Sequence, residues 1–382
     1  MSLLCHEIGS LAKPNWRIRA LSGKPLSASD FDAAETWGKR LGLDYAALID
    51  LLKKGSESGL SDEEREEIVH WSSRYAVRLL EKAGLDLVYD GEQFRTEMYE
   101  YPMRRIRGME FAGLIRSFDH KYYRKGAVRG TLALSELFHR DEYLRMKTWA
   151  ESPIKIPITG PYTLVDWSYD EYYSLGVAPW DKEGLEGARA QLVKDMAEQV
   201  LRPNLKGLIS DGCEYIQVDE PAATTHPDEV PLFLGALETA MKDLEAHFSV
   251  HICFSDYRLL FPHIAERAPQ VWEYTLEFAN RDDREPGVSE ETRPGYAILK
   301  KFRDYKVSAV VGLGVIDVHT DFVEPATLVR DRILYAVEVL GGPDRIAVTP
   351  DCGLRTRTWE VAYEKLRRMT EGAALASEAI AL

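Results

Sequence analysis

Eight short apolar runs rich in β-branched and aromatic residues recur along this chain, and most are followed by a stretch of helical periodicity. That alternation leaves few folds open. The runs cover residues 5–9, 85–90, 154–159, 215–219, 248–254, 272–278, 308–314 and 345–349. Helices are predicted from Ser61, where Ser61-Asp62-Glu63-Glu64 reads as an N-cap with an acidic first turn, to Lys82, with Gly84 as the stop. Further helical periodicity covers 185–210, 228–246, 257–267, 292–305, 325–340 and 358–371. Such alternation predicts an α/β fold with parallel strands, and eight repeats favour a (β/α)8 TIM barrel over an open sheet. Two regions break the rhythm. Residues 11–60 carry two short amphipathic pieces, and 93–153 contain β-prone runs such as Ala127-Val128-Arg129-Gly130-Thr131. Both read as insertions at the barrel mouth, after strands one and two, so residues 1–382 are expected to form one barrel domain.

Charge and cysteine content exclude several classes. The net charge is −14, with both signs mixed along the 382 residues and no basic stripe, so neither nucleic acid nor an anionic membrane is an expected partner. The longest apolar stretch, about 307–316, is too short to span a bilayer, and the N-terminus lacks a secretory pattern. Four cysteines in so long a chain are no disulfide framework. A cytoplasmic protein with reduced thiols is expected.

A barrel of this kind carries its active site at the C-terminal strand ends, and there the unusual polar residues fall. Strand one ends Ile8-Gly9-Ser10 and strand two Asp90-Gly91-Glu92. Strand three ends Thr159-Gly160-Pro161, with Asp166-Trp167-Ser168 beyond, and strand four Asp219-Glu220-Pro221. Strand five carries His251 and Cys253, and strand six ends at Glu277. Strand seven leads to Asp317-Val318-His319 and strand eight to Asp351-Cys352. Each has a plainer reading. Cys5 and Cys213 read as buried packing residues, Glu277 could pair with Arg281, His319 with Asp317, and Trp167 could be packing alone.

His251 and Cys253 are two apart in a predicted strand, so both side chains point the same way. With Cys352 they form a donor set suited to zinc. No second short cluster of CxxC or HxxxH type accompanies them. Ligands gathered from separate strand ends point to a metal that does chemistry.

These residues resemble a known family. Ile8-Gly9-Ser10, Thr159-Gly160-Pro161, Gln217-Val218-Asp219-Glu220-Pro221, His251-Ile252-Cys253, Gly314-Val315-Ile316-Asp317-Val318-His319 and Pro350-Asp351-Cys352-Gly353-Leu354-Arg355-Thr356-Arg357 are similar to the catalytic barrel of cobalamin-independent methionine synthase. The resemblance implies a short, single-barrel methyltransferase that makes methionine from homocysteine. It also implies His251, Cys253, Glu277 and Cys352 as zinc ligands. By the same resemblance Ile8, Gly9 and Ser10 cradle the homocysteine carboxylate and Glu92 and Asp219 hold its ammonium group. His319 is then the acid that assists the leaving group, and Trp167 a surface for a pterin. After Glu277 the chain runs Phe278-Ala279, where the full-length enzymes have hydroxyl side chains. The donor therefore stays open between 5-methyltetrahydrofolate and a methylcorrinoid, free or carried on a corrinoid protein. An alternative is zinc-dependent alkyl transfer to another thiol such as coenzyme M.

Overall fold

The structure, a computed structural model, describes residues 3–95, 97–116, 122–267 and 270–381. In chain order its strands are β1 (Ile106–Arg116), β2 (Tyr122–Leu134), β3 (Lys155–Thr159), β4 (Tyr169–Asp170), β5 (Tyr215–Asp219), β6 (His247–Ile252), β7 (Val271–Leu276), β8 (Val310–Gly314) and β9 (Ile346–Thr349). The fold is α/β. Strands β3, β5, β6, β7, β8 and β9 form one parallel sheet in that order. The first two predicted strands appear only as isolated parallel bridges, Cys5 to Val348, His6 to Leu87 and Val88 to Ile154. A side chain explains part of the shortfall, because the Cys5 amide donates to the Asp86 carboxylate (2.7 Å) and not to a neighbouring strand.

Period-two alternation divides each sheet strand into two faces. Ile156, Ile158, Ile216, Val218, Val250, Leu276, Val311, Leu313 and Val348 are fully buried. Burying each such side chain contributes roughly 1.5–3 kcal/mol. The alternate positions are polar yet also buried: Lys155, Gln217, Asp219, Ser249, His251, Glu273 and Thr275. They meet their needs mutually. Lys155 Nζ donates to Gln217 Oε1 (2.6 Å) and His6 Nδ1 (2.9 Å), and His6 Nε2–H donates to Glu273 Oε1 (3.0 Å). Register aligns Thr159 with Asp219, Asp219 with His251 and His251 with Thr275, so the functional side chains share one rim.

The helix Asp62–Lys82 forms as expected, with a capping box between Ser61 and Glu64, and Gly84 follows at φ +88°. The 185–210 segment is helical throughout but contains a π turn at Met196–Leu201. Other expectations need correction. Residues 11–60 carry three helices, Asn15–Leu21, Ala28–Leu41 and Ala46–Ser58, where two pieces were expected. The predicted helix 257–267 is broken by Pro262, which lacks an amide proton, into Tyr257–Leu260 and His263–Glu266. The 292–305 helix shrinks to the turn Pro294–Tyr296 and Leu299–Asp304. The fifth predicted strand stops at Ile252, before Cys253, and Phe254 follows at φ +51°. Residues 93–153 contain the antiparallel β1–β2 hairpin, which includes the β-prone 127–131 run. Among the described residues no helix is long and apolar enough to cross a membrane.

Candidate metal centre

His251 is the second-last residue of β6, and Cys352 follows β9 by three positions. The left-handed Phe254 turns the chain away directly after Cys253. The structure brings the three together: one donor atom from each of His251, Cys253 and Cys352 lies within 4.8 Å of the others. His251 Nδ1 lies 3.2 Å from the Thr275 carbonyl oxygen, which can only accept, so the proton is on Nδ1. This leaves Nε2, buried and without a hydrogen-bond partner, as the ring atom offered to the sulfurs.

The electrostatics of the trio suit a cation. The Cys253 thiol donates toward Cys352, which lowers Cys352 to about 5, while Cys253 itself is pushed well above its ordinary value. Burial would lower the His251 imidazole, yet the Cys352 thiolate beside it more than offsets this and raises it. The protons that His251 and Cys253 retain stand where a divalent cation would neutralise the cluster. Soft sulfurs plus one imidazole fit zinc.

Glu277 is buried beside this trio but does not join it at 4.8 Å. Its Oε2 accepts from the Phe254 amide (2.8 Å), and Oε1 has no hydrogen-bond partner. Arg281 Nη2 lies 3.9 Å from Oε2, and His319 Nε2 3.8 Å from Oε1. His319 is partly exposed, tilted against Phe254 (5.3 Å between rings), and raised by its contact with Glu277. Its amide donates to Asp317, so the loop pairing is present as well.

Ser10 reaches the same rim. Its carbonyl accepts from the Leu354 amide (2.7 Å), and a Cβ at Gly353 would collide with its hydroxyl, so a larger residue there must displace the Ser10 side chain. The Ile8 carbonyl accepts from Gln217 Nε2 (2.6 Å), which also donates to Asp219 Oδ1 (2.7 Å). A Cβ added at Gly9 would lie 3.5 Å from Glu92 Oε1, so the two are neighbours. Burial pushes the Asp219 carboxyl up to about 6. Burial would also raise Glu92, but Arg95, 2.5 Å away, holds it below the ordinary range. Trp167 is half-buried in a cluster with Tyr99 and Tyr123, ring centroids 6.1 and 6.2 Å away, so its packing role is real.

Two residues organise the site in ways the sequence reading did not assign: Arg95 went unnoticed, and Asp351 was noted at a strand end without a role. Arg95, fully buried, donates to Glu92 (2.5 Å) and stands 4.0 Å from Asp219. Asp351 accepts from the amides of Phe278, Ala279 and Asn280 at 2.7–2.9 Å, fixing the turn that follows Glu277. Asp351 beside Cys352, and Arg95 three residues after Glu92, were the available signals.

Comparison with known proteins follows this geometry. The family described as cobalamin-independent synthase, catalytic domain, matches residues 47–375. A methionine synthase from Thermoplasma acidophilum is 39% identical over 310 residues, 79% of this chain and 88% of that protein. One from Pyrococcus furiosus is 34% identical over 325 residues, 85% of this chain and 87% of that protein. Among solved structures, a B12-independent methionine synthase from Shewanella sp. W3-18-1, in complex with selenomethionine, shares the fold with a TM-score of 0.73. It is 24% identical, and the match covers 100% of both chains.

Proposed function

The chain belongs to the cobalamin-independent methionine synthase family and is a methyltransferase; from that premise we propose that it methylates the thiol of homocysteine to form methionine, with zinc at His251, Cys253 and Cys352. The observation that carries this reading is the convergence of those three donors within 4.8 Å, with the buried His251 Nε2 left unpartnered. The relatives named methionine synthase and a fold neighbour solved with selenomethionine support the acceptor.

An alkyl thiol with a pKa near 8.5 is only a few per cent ionised at neutral pH. Zinc bound here would supply the Lewis acidity that ionises a coordinating thiol. The remaining work belongs to the chain. Thr275 fixes the His251 tautomer. Glu277, with Oε1 unpartnered, is the fourth, displaceable carboxylate on the metal side. Ile8, Gly9 and Ser10 receive the amino-acid carboxylate, while Glu92 and Asp219 receive its ammonium group. The S–CH3 bond forms as the donor's bond to methyl breaks. For a methylfolate the leaving nitrogen takes a proton from His319 Nε2, with Trp167 as one wall for the pterin. The donor is 5-methyltetrahydrofolate or a methylcorrinoid.

The fold reading that goes with this is a (β/α)8 barrel spanning the chain, with insertions at 11–60 and 93–153. The three parallel bridges support it, since they join residues 5–6 and 87–88 between β9 and β3. A methyl-transfer assay with homocysteine tests the function, comparing 5-methyltetrahydrofolate (mono- and polyglutamyl), methylcobalamin and a methylated corrinoid protein. Methionine is expected with one of them. A zinc-loaded protein that forms none with any donor overturns the reading.

A further inference from the structure

Arg95 occupies an unusual place for a guanidinium, since its side chain is fully buried directly against both proposed ammonium-binding carboxylates. Its Nη2 donates to Glu92 Oε1 at 2.5 Å and stands 4.0 Å from Asp219 Oδ2. Its Nη1 donates to the Pro157 carbonyl (3.2 Å) and to His139 Nε2 (3.3 Å), which fixes the plane of the group. The loop that carries it is held from outside. Leu11 N donates to the Gly91 carbonyl (3.0 Å), Arg17 Nη2 to the Gln93 carbonyl (2.6 Å), and Lys13 Nζ to the carbonyl of Arg95 itself. Glu92 has a left-handed backbone at φ +61°, and Arg95 is the contact that holds its carboxylate.

Charge makes this placement specific. Two buried carboxylates without a cation between them hold one proton in common, because both cannot be ionised at low cost. The guanidinium instead gives a donor to Glu92 and a fixed positive charge 4.0 Å from Asp219, which leaves the remaining carboxylate oxygens to accept from an ammonium group. Lys13 and Arg355 add positive potential at Glu92 from outside the trio.

We propose that Arg95 is a positioning residue that makes the Glu92–Asp219 pair selective for thiols bearing an α-ammonium group: its hydrogen bond fixes the Glu92 carboxylate and aims it, beside Asp219, into the site. This rests on the proposed binding of homocysteine. The alkyl thiol 4-mercaptobutyrate has the same chain and carboxylate but no ammonium, so it isolates the effect.

Titration calorimetry on zinc-loaded protein measures both thiols without a methyl donor. Arg95→Met is expected to weaken homocysteine binding by about 30-fold, the loss of roughly one charge-assisted contact, and to change 4-mercaptobutyrate by less than about threefold. Arg95→Lys, which keeps the charge but not the fork, is expected to lie between. Equal losses for the two thiols, or unchanged homocysteine binding, overturn the proposal. Should Arg95→Met not fold, Arg95→Lys decides: a preference narrowed by about tenfold supports it, and an unchanged preference overturns it. Wild-type protein that binds neither thiol refutes the homocysteine reading itself. Wild-type discrimination that survives in the variants refutes only the role of Arg95.

Discussion

The Nδ1 of His251 lies 3.2 Å from the backbone carbonyl of Thr275, one strand away in register. A main-chain acceptor cannot be removed by changing a side chain, so the tautomer that offers Nε2 outward is built into the sheet. Nε2 then faces two sulfurs whose joint proton inventory suits a cation.

That relationship ranks the ligands. Cys352→Ser and His251→Ala should each lower zinc affinity by at least about 100-fold, because each removes a donor from a trio on separate strand ends. Glu277→Gln should lose less affinity, since its carboxylate lies outside the 4.8 Å cluster. Chelator competition followed by metal analysis measures all three. Cys352→Ser with full zinc stoichiometry and full activity would sink the ligand assignment.

Metal uptake should also be coupled to protons. In the metal-free site Cys253 and His251 both hold their protons above the ordinary range, while Cys352, lowered to about 5, is already ionised at neutral pH. Binding must displace the first two protons, so the apparent affinity rises with pH between about 6 and 8. Calorimetry in two buffers of different ionisation enthalpy would report one to two protons released per ion. An affinity independent of pH across that window would contradict it.

The sequence made the sheet visible where short apolar runs carry β-branched residues at alternate positions, as at Ile156 and Ile158 or Ile346 and Val348. It exposed the rim where a rare residue type marks it, as with His251, Cys253 and Cys352. It hid what depends on partners distant along the chain. Strand one is reduced to bridges in part because Asp86, 81 residues on, takes the Cys5 amide. Arg95 looked like any loop cation, because its burial against Asp219 links positions more than a hundred residues apart. Periodicity could not separate a helix from an interrupted one at 257–267, since Pro262 alone decides it.

Glu220 predicts a pH effect on the fold. Its carboxylate accepts from the Tyr162 and Thr163 amides (3.1 and 2.7 Å) and from Thr163 Oγ1 (2.6 Å). Burial nevertheless outweighs these donors and pushes the group up to about 8. A raised carboxyl means that, between the unfolded value near 4.3 and about 8, the folded state binds more protons than the unfolded. Its stabilising contribution is complete below the unfolded value and is lost as pH rises through about 8. Thermal unfolding of the metal-free protein should show a melting temperature that falls from pH 6 to 8.5, with a shallower fall in Glu220→Gln. Identical slopes in the two proteins would rule Glu220 out as the source.

Asp351 and Gly314 together hold the turn after Glu277, and each can be tested. The Asp351 carboxylate takes three successive amides, Phe278, Ala279 and Asn280, with both oxygens used. Asn at this position keeps one acceptor oxygen but turns an NH2 toward an amide donor, a loss of roughly 1–3 kcal/mol for a buried unsatisfied group. Gly314 lies across from it, where a Cβ would come 2.2 Å from Asp351 Oδ1 and 2.7 Å from the Leu276 carbonyl. Neither atom is the free end of a flexible chain, so Gly314→Ala must push the turn aside. Both variants should destabilise the fold and also reduce methyl transfer, because the displaced turn carries Glu277. Zinc retention should fall less, since His251, Cys253 and Cys352 come from β6, the residue after it, and the loop beyond β9. Denaturant unfolding, metal content and turnover, measured on the same preparations, separate these effects. Full turnover in Asp351→Asn would show that the amide cradle does not position Glu277.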